Sequence, residues 1–585
     1  MDFFKILELV GGLALFLYGL DVMGDGLKKI SGSKLKNVLG KLTSNKFKGF
    51  LLGFVVTAAI QSSSATTVML IGFVNSGIMR VGQTISIIMG ANIGTTVTGW
   101  ILSLSAVSGE SFIIRLIQPS SFIPILAAVG IIMIMTAKKD RKKYLGSILI
   151  GFSVLMYGMQ AMSGAMSVLK ESQSFSKLLV MFSNPVMGII SGALLTAILQ
   201  SSSASIGILQ ALSQSGLIPI STALPIILGQ NIGDCVTPLI SSVNGNTDAK
   251  RVSVACFYIK LIRVIIFAAV FYSLNALFDF SIMKTNASPF NIALIHTTFN
   301  IITVAVLMPF CSWVEKLAII TVKGSKSKHE KEVFDSLDER FLSIPSFAVE
   351  KSRELVCEMA RITRESLVES TSLIEKYDKN IAEKILMSEN EVDKFEDKIS
   401  SYLVKLSGKE LSAADNREVT ELLHCIGDIE RISDHAVNIL QVAEEIDEKE
   451  IKFSDEAVHD IRVISDAVCE VICLATEALI KENLAVAKKV EPLEQVIDKL
   501  KFMIKAKHIE RLKDGDCTVE DGFTLSDLLV NYERVSDHCS NIAVCLLEGA
   551  NDSFETHEYL NNVKHNGEND FFDLYDDYKK KYTLN

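Results

Sequence analysis

Up to about Val322 the chain is a series of apolar runs broken by short polar loops. The runs cover residues 3–23, 50–79, 81–105, 121–136, 145–165, 186–218, 220–242, 252–278 and 290–308. Most approach or exceed the roughly 20 residues that cross a bilayer as a helix. From Ile344 to Leu547 the pattern changes: apolar positions recur every three or four residues among dense Glu, Asp, Lys and Arg. That period belongs to amphipathic soluble helices. Breaks fall near residues 408–413, 447–453 and 515–522. The pattern predicts an all-α chain with a polytopic membrane domain over 1–322, a polar linker over 323–343 and a soluble helical domain over 344–550. A polar, acidic tail with Phe571, Phe572 and Tyr575 follows over 551–585.

The first run continues to Met23 with no small-residue cleavage site, and Asp2 and Lys5 cancel before it. It therefore reads as a retained membrane helix rather than a signal peptide. The net charge of −10 lies mostly in the second half, and no basic stripe is present, which argues against nucleic acid as a partner. The ten cysteines follow neither zinc nor disulfide spacing and read as reduced thiols facing a cytoplasm. No nucleophile–base pair or nucleotide loop suggests an enzyme.

Self-comparison changes the picture most. Gln61-Ser62-Ser63-Ser64-Ala65 returns 139 residues later as Gln200-Ser201-Ser202-Ser203-Ala204. At the same offset Asn92-Ile93-Gly94 returns as Asn231-Ile232-Gly233, Tyr18-Gly19 as Tyr157-Gly158, and Thr57 as Thr196. The loop after the first run carries Lys28, Lys29, Lys34, Lys36, Lys41, Lys46 and Lys48, and a second basic cluster spans Lys138 to Lys143. Both belong inside by the charge rule. The copy of the first loop, around residues 166–185, holds only Lys170 and Lys177 against Glu171 and belongs outside. Equivalent loops on opposite sides make an inverted repeat, residues 3–136 and 145–310, a construction common in secondary transporters. Runs 50–79 and 186–218 then have to be re-entrant hairpins, because full crossings would turn the Lys142 cluster outward. This topology puts the N-terminus outside and the soluble domain in the cytoplasm.

Polar side chains and broken backbone at membrane depth survive only inside protein or beside a water-filled cavity. Gln61, Ser62, Ser63 and Ser64, with Gln200, Ser201, Ser202 and Ser203, would bring hydroxyls, amides and helix N-termini together near the midplane, a setting suited to an oxyanion. Thr66, Thr67, Asn92, Thr95, Ser205 and Asn231 offer hard oxygen ligands for a small cation at helix breaks. Asp234 stands where copy one has Thr95, and an intramembrane carboxylate suggests cation binding or charge compensation. Lys260 and Arg263 fall near the expected cytoplasmic end of their helix, so snorkelling is their expected behaviour. His296, Asn291 and Asn300 read as an interior hydrogen-bond network. The glycine pairs Gly49/Gly53 and Gly188/Gly192 read as close-packing positions.

On the duplicated Gln-Ser-Ser-Ser motif and the Asn-Ile-Gly-Thr segment, residues 3–321 resemble the sodium/phosphate cotransporter family (type II). The resemblance implies inorganic phosphate as substrate and sodium as driving ion. Carried over by position, it implicates Gln61–Ser64, Thr66, Thr67, Gln200–Ser203, Ser205, Asn92 and Asn231; together with the reading of the residues, phosphate is expected at Gln61–Ser64 and Gln200–Ser203, and sodium among Thr66, Thr67, Asn92, Thr95, Ser205, Asn231 and Asp234.

The soluble half carries a second duplication. Ile429-Glu430-Arg431-Ile432-Ser433-Asp434-His435 is echoed by Tyr532-Glu533-Arg534-Val535-Ser536-Asp537-His538 at an offset of 103, and Glu389 and Asp393 are echoed by Glu494 and Asp498 at 105. A four-residue spacing places Glu and Asp on one helix face. Four such carboxylates per bundle could hold a hard metal or form a solvated face paired with Arg431 and Arg534. These residues resemble the PhoU-like domain, a tandem pair of three-helix bundles. The resemblance implies phosphate-linked regulation and divalent or iron-type metal at Glu389, Asp393, Glu430 and Asp434, and at Glu494, Asp498, Glu533 and Asp537.

The sequence therefore reads as a sodium-coupled phosphate symporter of the cytoplasmic membrane, with a regulatory domain inside and with room for a homo-oligomer. A phosphate exporter of the same fold and a membrane-anchored anion sensor are the alternatives.

Overall fold

A computed structural model describes residues 3–39, 45–106, 118–167, 181–324, 333–550 and 569–584. Lys41, Lys170, Glu171, Lys177, linker residues 325–332 and tail residues 551–568 lie outside them. The described residues are helical throughout, with one isolated antiparallel bridge, Pro219 to Asn286. The chain divides into two compact units, Met1–Phe347 and Ala348–Asn585.

In the first unit, α1 (Phe3–Leu39) packs along α7 (Asp140–Ser167). Hairpin one consists of α2 (Lys46–Ile60) and α3 (Ser63–Asn75), and is followed by α4 (Val81–Gly94) and α5 (Thr96–Ser103). After α6 (Pro119–Thr136) and α7 comes hairpin two, α8 (Pro185–Leu199) and α9 (Ser202–Ser213). Then follow α10 (Ile220–Gly233), α11 (Val236–Ser241), α12 (Thr247–Phe278), α13 (Pro289–Leu307) and α14 (Cys311–Thr321). Six helical stretches are long and apolar enough to cross a membrane. The hairpin arms are not among them: α2 and α8 have 15 residues each, about 22 Å at 1.5 Å per residue.

The duplication extends to single contacts. Asn45 caps α2 through the amide of Phe47 (2.8 Å), and Asn184 caps α8 through that of Val186 (3.0 Å). Gly53 lies so close to the Ile87 carbonyl, and Gly192 to that of Ile226, that a Cβ at either would collide with backbone. Gly90 and Gly229 meet the carbonyls of Phe50 and Ile189 in the same way. Gly77 and Gly216 end the hairpins at φ of 66° and 69°, a conformation that glycine adopts without penalty.

The first unit continues past the last apolar helix. Phe341 is fully buried, and its ring packs 5.4 Å from Phe73 and 4.9 Å from Phe347. Asn75 donates to Asp338 (2.9 Å), and Arg340 donates to the Ser241 carbonyl (3.1 Å). Residues 338–347, assigned to a linker and a helix start on sequence grounds, are thus part of the wall around α3.

In the second unit, α15 (Pro345–Leu373), α16 (Lys379–Ser407) and α17 (Ala413–Glu448) form one set of three long helices. A second set is α18 (Asp455–Lys481), α20 (Val490–Asp514) and α21 (Val519–Ala550), with the single turn α19 (Leu484–Ala487) between the first two. Helices α17 and α21 pack on each other and join the sets. The tail ends in α22 (Asn569–Lys581), which packs on α20 and is tied through Lys581 to Glu470 (2.6 Å).

Gly53→Ala and Gly192→Ala should each destabilise the protein by about 1–3 kcal/mol through overpacking. Thermal unfolding in detergent checks this, and an unchanged midpoint in either variant would contradict the close approach.

Candidate functional site

Each hairpin turns at its glutamine. Gln61 (φ 60°, ψ 23°) and Gln200 (φ 52°, ψ 23°) adopt the left-handed conformation and end α2 and α8. Ser62 and Ser201 follow in extended backbone and cap α3 and α9, accepting from the amides of Ala65 (3.1 Å) and Ala204 (3.2 Å). The first serine of each motif is thereby spent on its helix start. The sequence motif is, locally, a device for stopping one helix and starting another within two residues.

The Asn-Ile-Gly segments do break their helices, at Thr95 between α4 and α5 and at Asp234–Cys235 between α10 and α11. The repeats then interlock. Helix α3 packs on α11, and α9 packs on α5. Ser63 and Ser64 donate to the Asp234 carboxylate at 3.0 and 2.7 Å. The carboxylate therefore sits at the N-terminus of α3, where the helix dipole favours negative charge. On the other side, Gln210 of α9 donates to the Gly99 carbonyl (3.0 Å), and Gln214 donates to Ser105 (2.7 Å).

Lys260 also pairs with Asp234, and the two side chains are 3% and 4% exposed. Arg263, one turn further along α12, is 1% exposed. It donates to Thr303 (2.8 Å) and Asn300 (2.5 Å) and lies over the Phe299 ring. The expectation that both side chains snorkel is corrected: protein, not a headgroup layer, surrounds them. Helix α12 begins at Thr247, so Lys260 and Arg263 stand in its middle turns, inside the bundle. A buried ion pair close to a buried, unpaired arginine is a signal that position along a helix could not reveal.

The remaining predicted residues divide. Gln61 accepts from Thr98 (2.7 Å), and Thr66, Thr67 and Thr95 donate to carbonyls one turn back. Asn231 donates to Ile227 (2.9 Å), and Asn92, also buried, has no partner on its Nδ2. In copy two, Ser203 and Ser205 are buried, Ser202 is half-buried and Gln200 is exposed. Among the described residues, no hydrogen bond joins Gln200–Ser203 to the Asp234 cluster. The first tip is engaged and the second is not.

Another set was visible only as repeat partners. In copy one Thr57 donates to Thr66 (3.0 Å). In copy two the matching Thr196 and Ser205 hydroxyls are buried without partners among the described residues, as is Oε1 of Gln230, whose Nε2 donates to the Ser205 carbonyl (3.0 Å). Gln230 replaces Ala91 of copy one. Hydroxyl and amide oxygens left this way suit a small hard cation.

In the soluble unit, Glu389, Asp393 and Asp434 place carboxylate oxygens within 4.8 Å of one another. Burial, and then the charges of Asp393 and Asp434, push the Glu389 carboxyl above its usual range. Glu430 is raised by burial and by Asp434 and Asp393. This donor set fits a hard cation. The second copy is different: Glu533, the counterpart of Glu430, pairs with Lys501. His435 and His538 stack 5.8 Å apart between the two sets, their Nδ1 atoms donating to Oδ1 of Asn531 and of Asp428 at 2.8 Å.

The Na+/Pi-cotransporter family model matches the chain twice, over residues 15–164 and 154–286, and the PhoU domain model matches twice, over 356–443 and 461–546. The first half of the chain thus carries Na+/Pi-cotransporter family domains, and the second a tandem PhoU domain. YjbB of Salmonella typhimurium, named as an inorganic phosphate export protein, is 22% identical over 95% of this chain and 99% of its own. Sodium-dependent phosphate transport protein 2A of Rattus norvegicus is 38% identical over 103 residues, 17% of this chain and 16% of its own. The crystal structure of PhoU from Pseudomonas aeruginosa aligns at 18% identity over 35% of this chain and 97% of its own, with a TM-score of 0.33. With these domains and six helical stretches able to cross a membrane, the chain is a membrane protein of the phosphate transporter kind.

Ser64→Ala should cost about 1–3 kcal/mol, because a buried carboxylate loses a charge-assisted donor. In an Asp234→Asn background the same change should cost clearly less. Unfolding midpoints across this double-mutant cycle check it; additive losses would show that the hydroxyl does not serve the carboxylate.

Proposed function

We propose that the protein is a sodium-coupled inorganic phosphate symporter working by alternating access. The observation that carries this reading is an excess of buried positive charge. Lys260 is neutralised by Asp234, but among the described residues Arg263 has no carboxylate and its Nη1 has no hydrogen-bond partner. An uncompensated interior cation costs several kcal/mol. A phosphate oxygen supplies both the charge and the missing acceptor, and guanidinium binds such oxyanions with directed, charge-assisted hydrogen bonds. The hydroxyls and helix starts of the hairpin tips complete an anion-receptive interior.

Sodium fits the oxygen set of Thr196, Ser205 and Gln230 better than the sites expected around Thr66, Thr67 and Thr95, whose hydroxyls are committed to backbone. Hairpin arms too short to cross support the re-entrant reading, and with it the inverted repeat and a cytoplasmic soluble domain. There the PhoU domain would link transport to phosphate supply, with Glu389, Asp393 and Asp434 its best metal donors.

Flux follows the gradients, so the same cycle run outward is export. The name given to YjbB, which matches nearly the whole chain, favours this as the second reading.

The test is radiolabelled phosphate flux in proteoliposomes under an inward sodium gradient, with a matched potassium control. Sodium-dependent accumulation is expected. Equal flux in potassium would remove sodium coupling, and no flux in either direction from inserted protein would remove transport. Arg263→Gln should raise the phosphate concentration for half-maximal flux by at least about tenfold, the equivalent of 1.4 kcal/mol; an unchanged value would free Arg263 from the anion.

A further inference from the structure

Asp234 is the sole carboxylate of the hairpin-and-break region, and a sodium ion would be its natural partner. The geometry argues otherwise. Both carboxylate oxygens are already committed, Oδ1 to Ser64 (2.7 Å) and Oδ2 to Ser63 (3.0 Å) and to the Lys260 ammonium. Lys260 reaches them from α12, and the pair is almost wholly withdrawn from solvent. A sodium ion entering here would meet a fixed positive charge at contact range, in a low dielectric where such repulsion is strong. Copy one has the neutral Thr95 where Asp234 stands, and its hydroxyl donates to the Ala91 carbonyl.

We propose that Lys260 is a built-in cation. Its ammonium permanently takes the position at Asp234 that a transported cation would otherwise fill, so Asp234 is not a sodium ligand in this protein. The consequence concerns coupling. A cation tethered to α12 neutralises the site without crossing the membrane, so each cycle carries one sodium, and one positive charge, fewer than it would with an ion in that place. The pair also holds α3 of one repeat to α10–α12 of the other without requiring sodium, which leaves this contact formed when sodium is absent.

The inference rests on the reading of this region as a cation-coupled anion path, and its test does not depend on transport. Equilibrium binding of radioactive sodium to the purified full-length protein gives the number of ions held per chain. Lys260→Gln should bind one more sodium than the wild type, because the buried carboxylate then recruits an ion, and Lys260→Arg should match the wild type. Asp234→Asn should leave the wild-type number unchanged. A Lys260→Gln protein that remains folded and binds no additional sodium would overturn the proposal. So would loss of one sodium in Asp234→Asn, and that variant decides the matter if Lys260→Gln does not fold. Wild-type protein that binds no sodium at all would defeat the symporter reading instead, while an ion gained by Lys260→Gln on that background would still establish the resident cation.

Discussion

A carboxylate taken out of water must be met by a positive charge and by hydrogen-bond donors, or it does not stay charged. Asp234 meets that requirement with Lys260 from α12 and with Ser63 and Ser64 from the start of α3. Because these partners come from different repeats, satisfying one buried charge also fixes where three helices sit. The break between α10 and α11 must place the carboxylate at the N-terminus of α3. The turn at Gln61 must bring that N-terminus to it, and α12 must run close enough for a lysine to reach.

The two repeats build nearly the same scaffold from different polar parts. Caps at Asn45 and Asn184, turns at Gln61 and Gln200, and close approaches at Gly53 and Gly192 match position for position. The chemistry on that scaffold diverges. Copy one presents a neutral break, with Thr57 and Thr66 bonded to each other. Copy two has Asp234 and a buried oxygen set without donors. A duplicated backbone with unlike linings supplies separate places for an anion and a cation, which is what coupled transport requires.

The soluble unit shows the same divergence. Its two helical sets repeat the Glu-Arg-x-Ser-Asp-His segment, yet Glu389, Asp393 and Asp434 gather in the first, while in the second Glu533 is taken by Lys501. Within the membrane unit, residues 338–347, which lead toward the soluble unit, pack on α3 through Phe73 and Asn75. The covalent connection is therefore anchored on the helix whose other end holds Asp234.

By itself the sequence determined the division into apolar and amphipathic halves, both duplications, the helix breaks and the hairpin turns. These are local matters: hydrophobic periodicity, capping residues and repeated motifs act within a few positions of themselves. Only the tertiary structure decided the fates of the charges. Lys260 and Arg263 are ordinary basic residues on an apolar helix until the fold shows which neighbours enclose them. Thr196 and Gln230 become notable only because their oxygens are buried without partners. Whether a polar group is satisfied depends on residues far along the chain, 171 positions away for Ser63 and Asp234 and 263 for Asn75 and Asp338. Desolvation, which sets the energy of a charge, is a property of the packed interior and not of the segment that carries it.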